Sequence, residues 1–418
     1  MSLSRRRFFQ TSLLFSLAAC TSQAGGGNGK ISFWTMQLKP VFEQYMNDLI
    51  SRFQAQNPGS EIEWIDVPWG EMENKILAAI AAQTAPDLVN LNPQFASKLA
   101  SKKVFIDLSE QLDQPTKDLY FPNIWQANQL DNLVFGLPWY VTTDVNIYNR
   151  QIFTAAGLDP QRPPKTYKEL AQVAQQIKAK TNKYAFMLTM DGSQVLESMV
   201  QMGMPLLNRE GRAAFDRAEG RAAWQYWVDL YQRQLIPPAS LTDGHRKALE
   251  LYQAGELAML LTGPQFLKLI GENAPGIARV SDVSAQIVGA NRQKSAAVMN
   301  VALPRTGKNL ELTLKFALFL TNDQNQLSFA KLGNVLPSTK QAATDAYFTN
   351  LADKQAIADK ARIISASQLA DARVLLPPSL NLDQLRQIIY QELQLAMLGK
   401  KSVAIAIEAA AQKWNQLS

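Results

Sequence analysis

From Lys30 onward the chain alternates short apolar runs with amphipathic segments, and this order constrains the fold more than any other feature. Lys30-Ile31-Ser32-Phe33-Trp34 reads as a first strand. Phe42, Tyr45, Met46, Leu49, Ile50 and Phe53 then recur at spacings of three and four, one face of a helix. Glu61 to Val67 reads as a second strand, and Met72, Ile76, Leu77 and Ile80 mark a second helix. Pro86 to Leu91 reads as a third strand ending at Asn92-Pro93. Strand–helix–strand–helix–strand predicts a parallel sheet with helices on its faces. Ligands of such sheets sit beyond the carboxyl ends of the strands, which singles out Trp34, Trp69 and Asn92.

The segment Val134 to Phe153 is apolar, aromatic and β-branched in its middle and is expected to be extended. Thr166 and Glu169 have the spacing of a capping box, followed by the apolar face Leu170, Val173, Ala174 and Ile177. Further helices are expected at Arg221 to Gln234, Lys247 to Gly255 and Leu310 to Leu320. The C-terminal part reads as helical, with Leu385, Ile389, Leu393 and Ala396 on one face. No internal repeat and no long linker interrupts the pattern. Two lobes in 418 residues are therefore expected to be joined by strands.

The first residues have a different character. Arg5-Arg6-Arg7-Phe8-Phe9 precedes a short apolar run and then Leu17-Ala18-Ala19-Cys20. A basic start, a short apolar core and small residues before a boundary mark an export signal, expected over 1–19. The paired arginines resemble a twin-arginine signal. Leu-Ala-Ala-Cys resembles a bacterial lipobox, which implies cleavage before Cys20 and lipid on its sulfur. A spanning helix needs about 20 apolar residues, more than this run offers. Residues 20–29 read as a flexible Gly/Ser-type tether. The expected location is the outer face of the cytoplasmic membrane, held through Cys20.

Composition narrows the chemistry. Cys20 is the sole cysteine, so neither a disulfide nor a cysteine-based metal site can form within one chain. His245 is the sole histidine, in a setting that reads as an exposed loop. The net charge of +6 shrinks once the three signal arginines leave, and the remaining Lys and Arg are scattered, which argues against nucleic-acid binding. No Gly-x-Ser-x-Gly, phosphate-binding loop or metal-spaced His/Cys cluster is present. No catalytic residue, metal or cofactor is expected. Recognition is better supported. Eight Trp, eleven Tyr and eighteen Phe are available. Trp34, Trp69, Trp125 and Trp139 fall at predicted strand ends or loops. Sugars suit aromatic walls with a few placed polar groups. Gln37, Asn92, Asp144, Gln265, Asn300 and Arg373 are candidates for those groups.

Several segments carry a resemblance to the extracellular solute-binding proteins of sugar ABC transporters, the family that includes maltose-binding protein. Ile31-Ser32-Phe33-Trp34 resembles the family's first strand, and Ala85-Pro86-Asp87-Leu88 its entry to the third. Leu137-Pro138-Trp139-Tyr140, Ile147 to Phe153 and Pro163 to Leu170 resemble its strongest stretch. Tyr252 to Met259, Leu261-Thr262-Gly263-Pro264, Lys315 to Thr321 and Gly333 to Ser338 continue the order. Two departures fall where the family tends to face its ligand. Gln265 and Phe266 stand where a Trp is frequent, and Met299-Asn300 where a Gly-Gly pair is common.

The resemblance implies a bilobal α/β periplasmic-binding-protein fold with the ligand in a hinged cleft. One lobe is expected from 30–141 with 285–333, the other from 142–284 with 334–418. The expected ligand-binding set is Trp34, Gln37, Trp69, Asn92, Trp139, Tyr140, Asp144, Gln265, Phe266, Asn300 and Arg373. The implied partners are a sugar or oligosaccharide, the membrane subunits of an ABC importer and the membrane itself, with the receptor a monomer. An exported carbohydrate-active enzyme and a same-fold receptor for a non-sugar solute are the competing readings.

Overall fold

The computed structural model describes residues 29–130, 132–289, 291–350, 356–376 and 381–417. The signal segment, Cys20 and most of the tether lie outside these residues. Twelve strands are used below: β1 (Lys30–Met36), β2 (Glu61–Val67), β3 (Leu88–Leu91), β4 (Gln129–Leu130), β5 (Leu133–Val134), β6 (Leu137–Thr143), β7 (Val145–Asn149), β8 (Met259–Thr262), β9 (Ser281–Ser284), β10 (Lys294–Ala302), β11 (Leu336–Pro337) and β12 (Ala372–Arg373). Among the described residues they form a large sheet in the order β11-β6-β10-β3-β1-β2, with β12 beside β10, a β8-β7-β9 sheet and the β4-β5 hairpin.

β1 pairs in parallel with β2 and β3, as the strand–helix alternation predicts. It is buried on both faces: Ile31 and Phe33 enter one core, Trp34 and Met36 another. That is the signature of a sheet covered by helices on both sides. β10 returns antiparallel between β3 and β6, so the sheet is mixed. The helix Glu43–Gln56 buries Met46, Leu49, Ile50 and Phe53, four of the six residues on its expected face. The helix Trp69–Ala81 buries Met72, Ile76 and Ala79.

The second sheet is built around β7, whose Tyr148 and Ile147 enter separate cores. Its larger core gathers the helices Tyr167–Thr181, Gln194–Gln201, Ala218–Gln232, Leu382–Met397 and Val403–Asn415 around Trp224, Trp227 and Trp414. The capping box is formed: Glu169 N donates to Thr166 Oγ1 and Thr166 N to Glu169 Oε2.

The chain passes between the sheets with a single residue, Asp144, separating β6 from β7. It returns between β9 and β10. The helix Ile357–Gln368 braces both passages. Gln368 Nε2 donates to Asp144 O at 3.0 Å, and Gln368 Oε1 accepts from Gln286 N at 3.1 Å. Thr143 Oγ1 and Ser365 Oγ lie 2.7 Å apart in the same buried seam. Beyond residue 334 the chain divides its contacts: β11 and β12 join the large sheet, whereas the last two helices pack on Ala218–Gln232.

One expectation fails outright. His245 is not in an exposed loop; it opens the helix His245–Gln253 and is partly buried. Its Nε2 lies 3.2 Å from Thr262 Oγ1 and its ring meets Phe266 edge-on at 5.0 Å. The Thr-Asp-Gly lead-in that suggested a loop is the helix entry, with Asp191 accepting from His245 N.

Candidate functional site

A cavity of about 470 Å³ opens between the two sheets. The large-sheet side supplies the start of the helix Pro93–Ser101, Tyr140 and Thr142 of β6, and Ala296, Ala297 and Met299 of β10. The opposite side supplies Glu197 and Gln265, and Val374, Leu376 and Leu382 complete an apolar wall. Trp69 stands at the mouth, 45% exposed.

Local structure sets what each side chain offers. Asn92 caps the helix Pro93–Ser101, its Oδ1 accepting from Phe95 N at 2.8 Å. An Asn before Pro at the first helical position is a favoured helix start. The cap leaves the Asn92 amide hydrogens as donors. Gln265 lies folded over Gly263, where a Cβ would come within 2.2 Å of its Oε1. Tyr140 is fixed by ring contacts with Trp139 at 5.3 Å and Phe329 at 5.0 Å. Burial, with Asp66 nearby, pushes its phenol upward, so it enters as a neutral hydroxyl.

Glu197 lies in the helix Gln194–Gln201 between buried Leu196 and Ser198. Its Oε2 accepts from Ser295 Oγ at 2.8 Å. Burial pushes its carboxyl up to about 7; the Ser295 hydroxyl opposes the shift and Asp144 adds to it. Asp144 is pushed up to about 6 by burial. Across the mouth, Gln94 Nε2 donates to Ser193 Oγ at 2.6 Å.

Of the eleven expected ligand-binding residues, the cavity brings together Trp69, Asn92, Tyr140 and Gln265. Gln37 stands one layer back: it adopts a φ of 52° and its Oε1 accepts from Trp69 N at 3.3 Å. Phe266 follows Gln265 but turns to His245. Asp144 sits in the crossing, in electrostatic reach of Glu197.

The other four are not brought to the cavity. Trp139 is fully buried against Phe33, Tyr140 and Phe329 and backs the wall rather than forming it. Trp34 is buried, with Nε1 donating to Ser32 Oγ and Lys75 over its ring at 4.7 Å. Asn300 is fully buried beyond a slip in the β10–β6 register after Met299, which leaves Met299 on the cavity. Arg373 borders a separate cavity with Asn123 and Gln126. Trp125 likewise lines a different surface cavity.

Gln94, Ser97, Thr142 and Glu197 are polar lining residues that the sequence reading did not select. For Glu197 a signal existed: a lone carboxylate inside the apolar run Val195-Leu196-Glu197-Ser198-Met199-Val200.

Comparison with known proteins agrees with this fold. The family model for bacterial extracellular solute-binding proteins matches residues 39–327. A solved structure from Synechococcus sp. MITs9220, assigned as an oligosaccharide periplasmic-binding protein, superposes with a TM-score of 0.85. It is 38% identical and covers 93% of this chain and 98% of its own. The cyclic alpha-maltosyl-1,6-maltose binding protein of Arthrobacter globiformis has the same fold, with a TM-score of 0.80 at 20% identity, covering 93% of this chain and 99% of its own. The sn-glycerol-3-phosphate-binding periplasmic protein of Escherichia coli (strain 536) is 25% identical, covering 93% of this chain and 92% of its own.

Proposed function

We propose, from the premise that this chain belongs to the bacterial extracellular solute-binding protein family, that its cleft captures a sugar or oligosaccharide and presents it to an ABC importer. The observation that carries the reading is the cavity itself. Trp69 and Tyr140 offer aromatic faces to the apolar C–H faces of a pyranose. Asn92, Gln94, Thr142 and Gln265 offer planar amides and a hydroxyl to its rim.

Capture proceeds by closure about Asp144 and the passage between β9 and β10. Ligand favours the closed state because both sides of the cleft touch it there, and only that differential contact shifts the population. The two bodies read best as the regions around the large sheet and around the β8-β7-β9 sheet. Among the site residues we assign direct contact to Trp69, Asn92, Tyr140, Gln265, Thr142 and Glu197, with Gln37 positioning Trp69.

Binding without bond cleavage is the favoured chemistry. Glycoside hydrolysis needs two carboxyl groups flanking the scissile bond. Glu197 is the only carboxylate among the described lining residues. Export under the 1–19 signal and lipid on Cys20 would hold a monomeric receptor beside its importer through the 20–29 tether.

The reading is tested by adding maltose, maltotriose and trehalose to pure protein and following thermal unfolding and sugar composition together. A receptor is stabilised by a ligand that stays intact. Release of smaller sugars would instead identify an enzyme.

A further inference from the structure

The cavity is electrostatically one-sided. No Lys, Arg or His is among its described lining residues, and Glu197 is its one acidic group. Nearby cations are engaged elsewhere: Lys75 lies over the Trp34 ring, Lys294 pairs with Asp371 at 3.6 Å, and Arg373 borders another cavity. The helix start at Pro93 leaves one backbone donor, Gln94 N–H, among its first three residues, too few to hold a phosphoryl group without a cation. Pro93 has no N–H, and the Asn92 side chain takes the Phe95 N–H.

Glu197 itself is only half used. Ser295 Oγ donates to Oε2, and no described residue donates to Oε1. Its helix also carries Gln201, tied to Tyr167 OH at 2.6 Å and to Gln293 O, so the helix is fixed against the helix Tyr167–Thr181 and against the passage between β9 and β10. The carboxylate is thus held in place with one acceptor oxygen available. Above about pH 7, where Glu197 is ionised, its carboxylate accepts hydrogen bonds and repels anions. A sugar hydroxyl can donate to it; a phosphoryl group is an anionic acceptor and gains nothing there. Phosphate sites are built from Arg, Lys or free backbone N–H groups.

Resting on the saccharide reading above, we infer that Glu197 sets the charge selectivity of this cleft: it takes a hydroxyl hydrogen bond from a neutral saccharide and turns away phosphorylated solutes. The receptor therefore differs in ligand class from its sn-glycerol-3-phosphate-binding relative despite the shared family.

Isothermal titration of the full-length protein at pH 8, where Glu197 is ionised, with maltose, maltotriose, trehalose and sn-glycerol 3-phosphate tests this. The wild type is expected to bind at least one neutral saccharide and to give no saturable binding of the phosphate ester. Glu197→Gln, nearly isosteric, is expected to weaken the saccharide about tenfold by trading a charge-assisted bond for a neutral one. Ser295→Ala, which frees the carboxylate without removing it, is expected to weaken it less. Binding of sn-glycerol 3-phosphate by the wild type, or saccharide affinity unchanged in Glu197→Gln, overturns this inference alone. Silence toward all three saccharides overturns the saccharide reading and this inference with it.

Discussion

Gln94 and Ser193 join the two sides of the cleft directly, with Gln94 Nε2 donating to Ser193 Oγ at 2.6 Å. Gln94 follows β3 of the large sheet, and Ser193 precedes the helix that carries Glu197. The contact does not pass through a ligand, so under the proposed closure it is expected to favour the closed arrangement even in an empty receptor.

Ser193→Ala tests that bias. A hydrogen bond between exposed groups contributes about 1 kcal/mol or less net. The variant should bind saccharide two- to fivefold more weakly, keep the same order of preference among sugars, and show a larger unliganded radius of gyration by X-ray scattering. Unchanged scattering would mean that the contact follows closure rather than favouring it.

Two tryptophans should separate cleanly. Trp139 is fully buried among aromatic rings, so Trp139→Ala is expected to cost about 3–5 kcal/mol in urea unfolding. Trp69 is 45% exposed at the mouth, so Trp69→Ala should cost well under about 1 kcal/mol of stability while weakening saccharide binding tenfold or more. Equal stability losses in the two variants would contradict the placement of both.

The raised carboxyl of Glu197 makes a pH prediction. Its folded value of about 7 lies above the ordinary 4.5, mainly because burial disfavours the charged form. Between those values the folded protein holds a proton that the unfolded chain has lost. The contribution is therefore fully present below pH 4.5 and declines as pH rises through about 7. The loss amounts to about 3 kcal/mol at 1.36 kcal/mol per unit. Asp144, Tyr167, Tyr390 and the Ser295 hydroxyl are the polar groups facing it, and they remain in Glu197→Gln. The wild type should thus lose stability relative to Glu197→Gln between pH 5 and 8 in paired urea titrations. Parallel curves would show that Glu197 ionises as an ordinary surface acid.

Gln368 should behave as a brace for the crossings. It is 1% exposed and bonds Asp144 O and Gln286 N. Gln368→Leu keeps the volume but orphans both backbone groups, at a cost of about 1–3 kcal/mol each. Faster hydrogen exchange at residues 144–145 and 286 is the readout; exchange unchanged at those amides would deny the bracing role.

The fold was legible where periodicity was strong. The alternation from Lys30 to Leu91 marked three parallel strands because β1 and β3 are buried on both faces and the edge strand β2, Glu61–Val67, keeps Ile62 and Val67 inward between polar residues. The site was less legible. Trp69, Asn92, Tyr140 and Gln265 lie after strands or in segments that resemble the family, where a linear reading can point. Trp139 and Trp34 could not be separated from wall residues by sequence, because residues on the two faces of a doubly covered strand look alike. Asn300 was displaced by a register slip that no pattern announces. Glu197 was missed although its apolar neighbours set it apart, because a single acid on a helix ordinarily faces water; the packing of β10 against that helix puts it at the cavity.

The interleaving of the large sheet also governs how the protein comes into being. β3 has no neighbour on its outer side until β10 arrives about two hundred residues later, and the β7-centred sheet lies between them in the chain. During synthesis from the N-terminus, the first half-sheet must wait with an open, apolar edge while the other body is made. Completion of that sheet therefore waits on β10, and neither body can be excised as one continuous fragment.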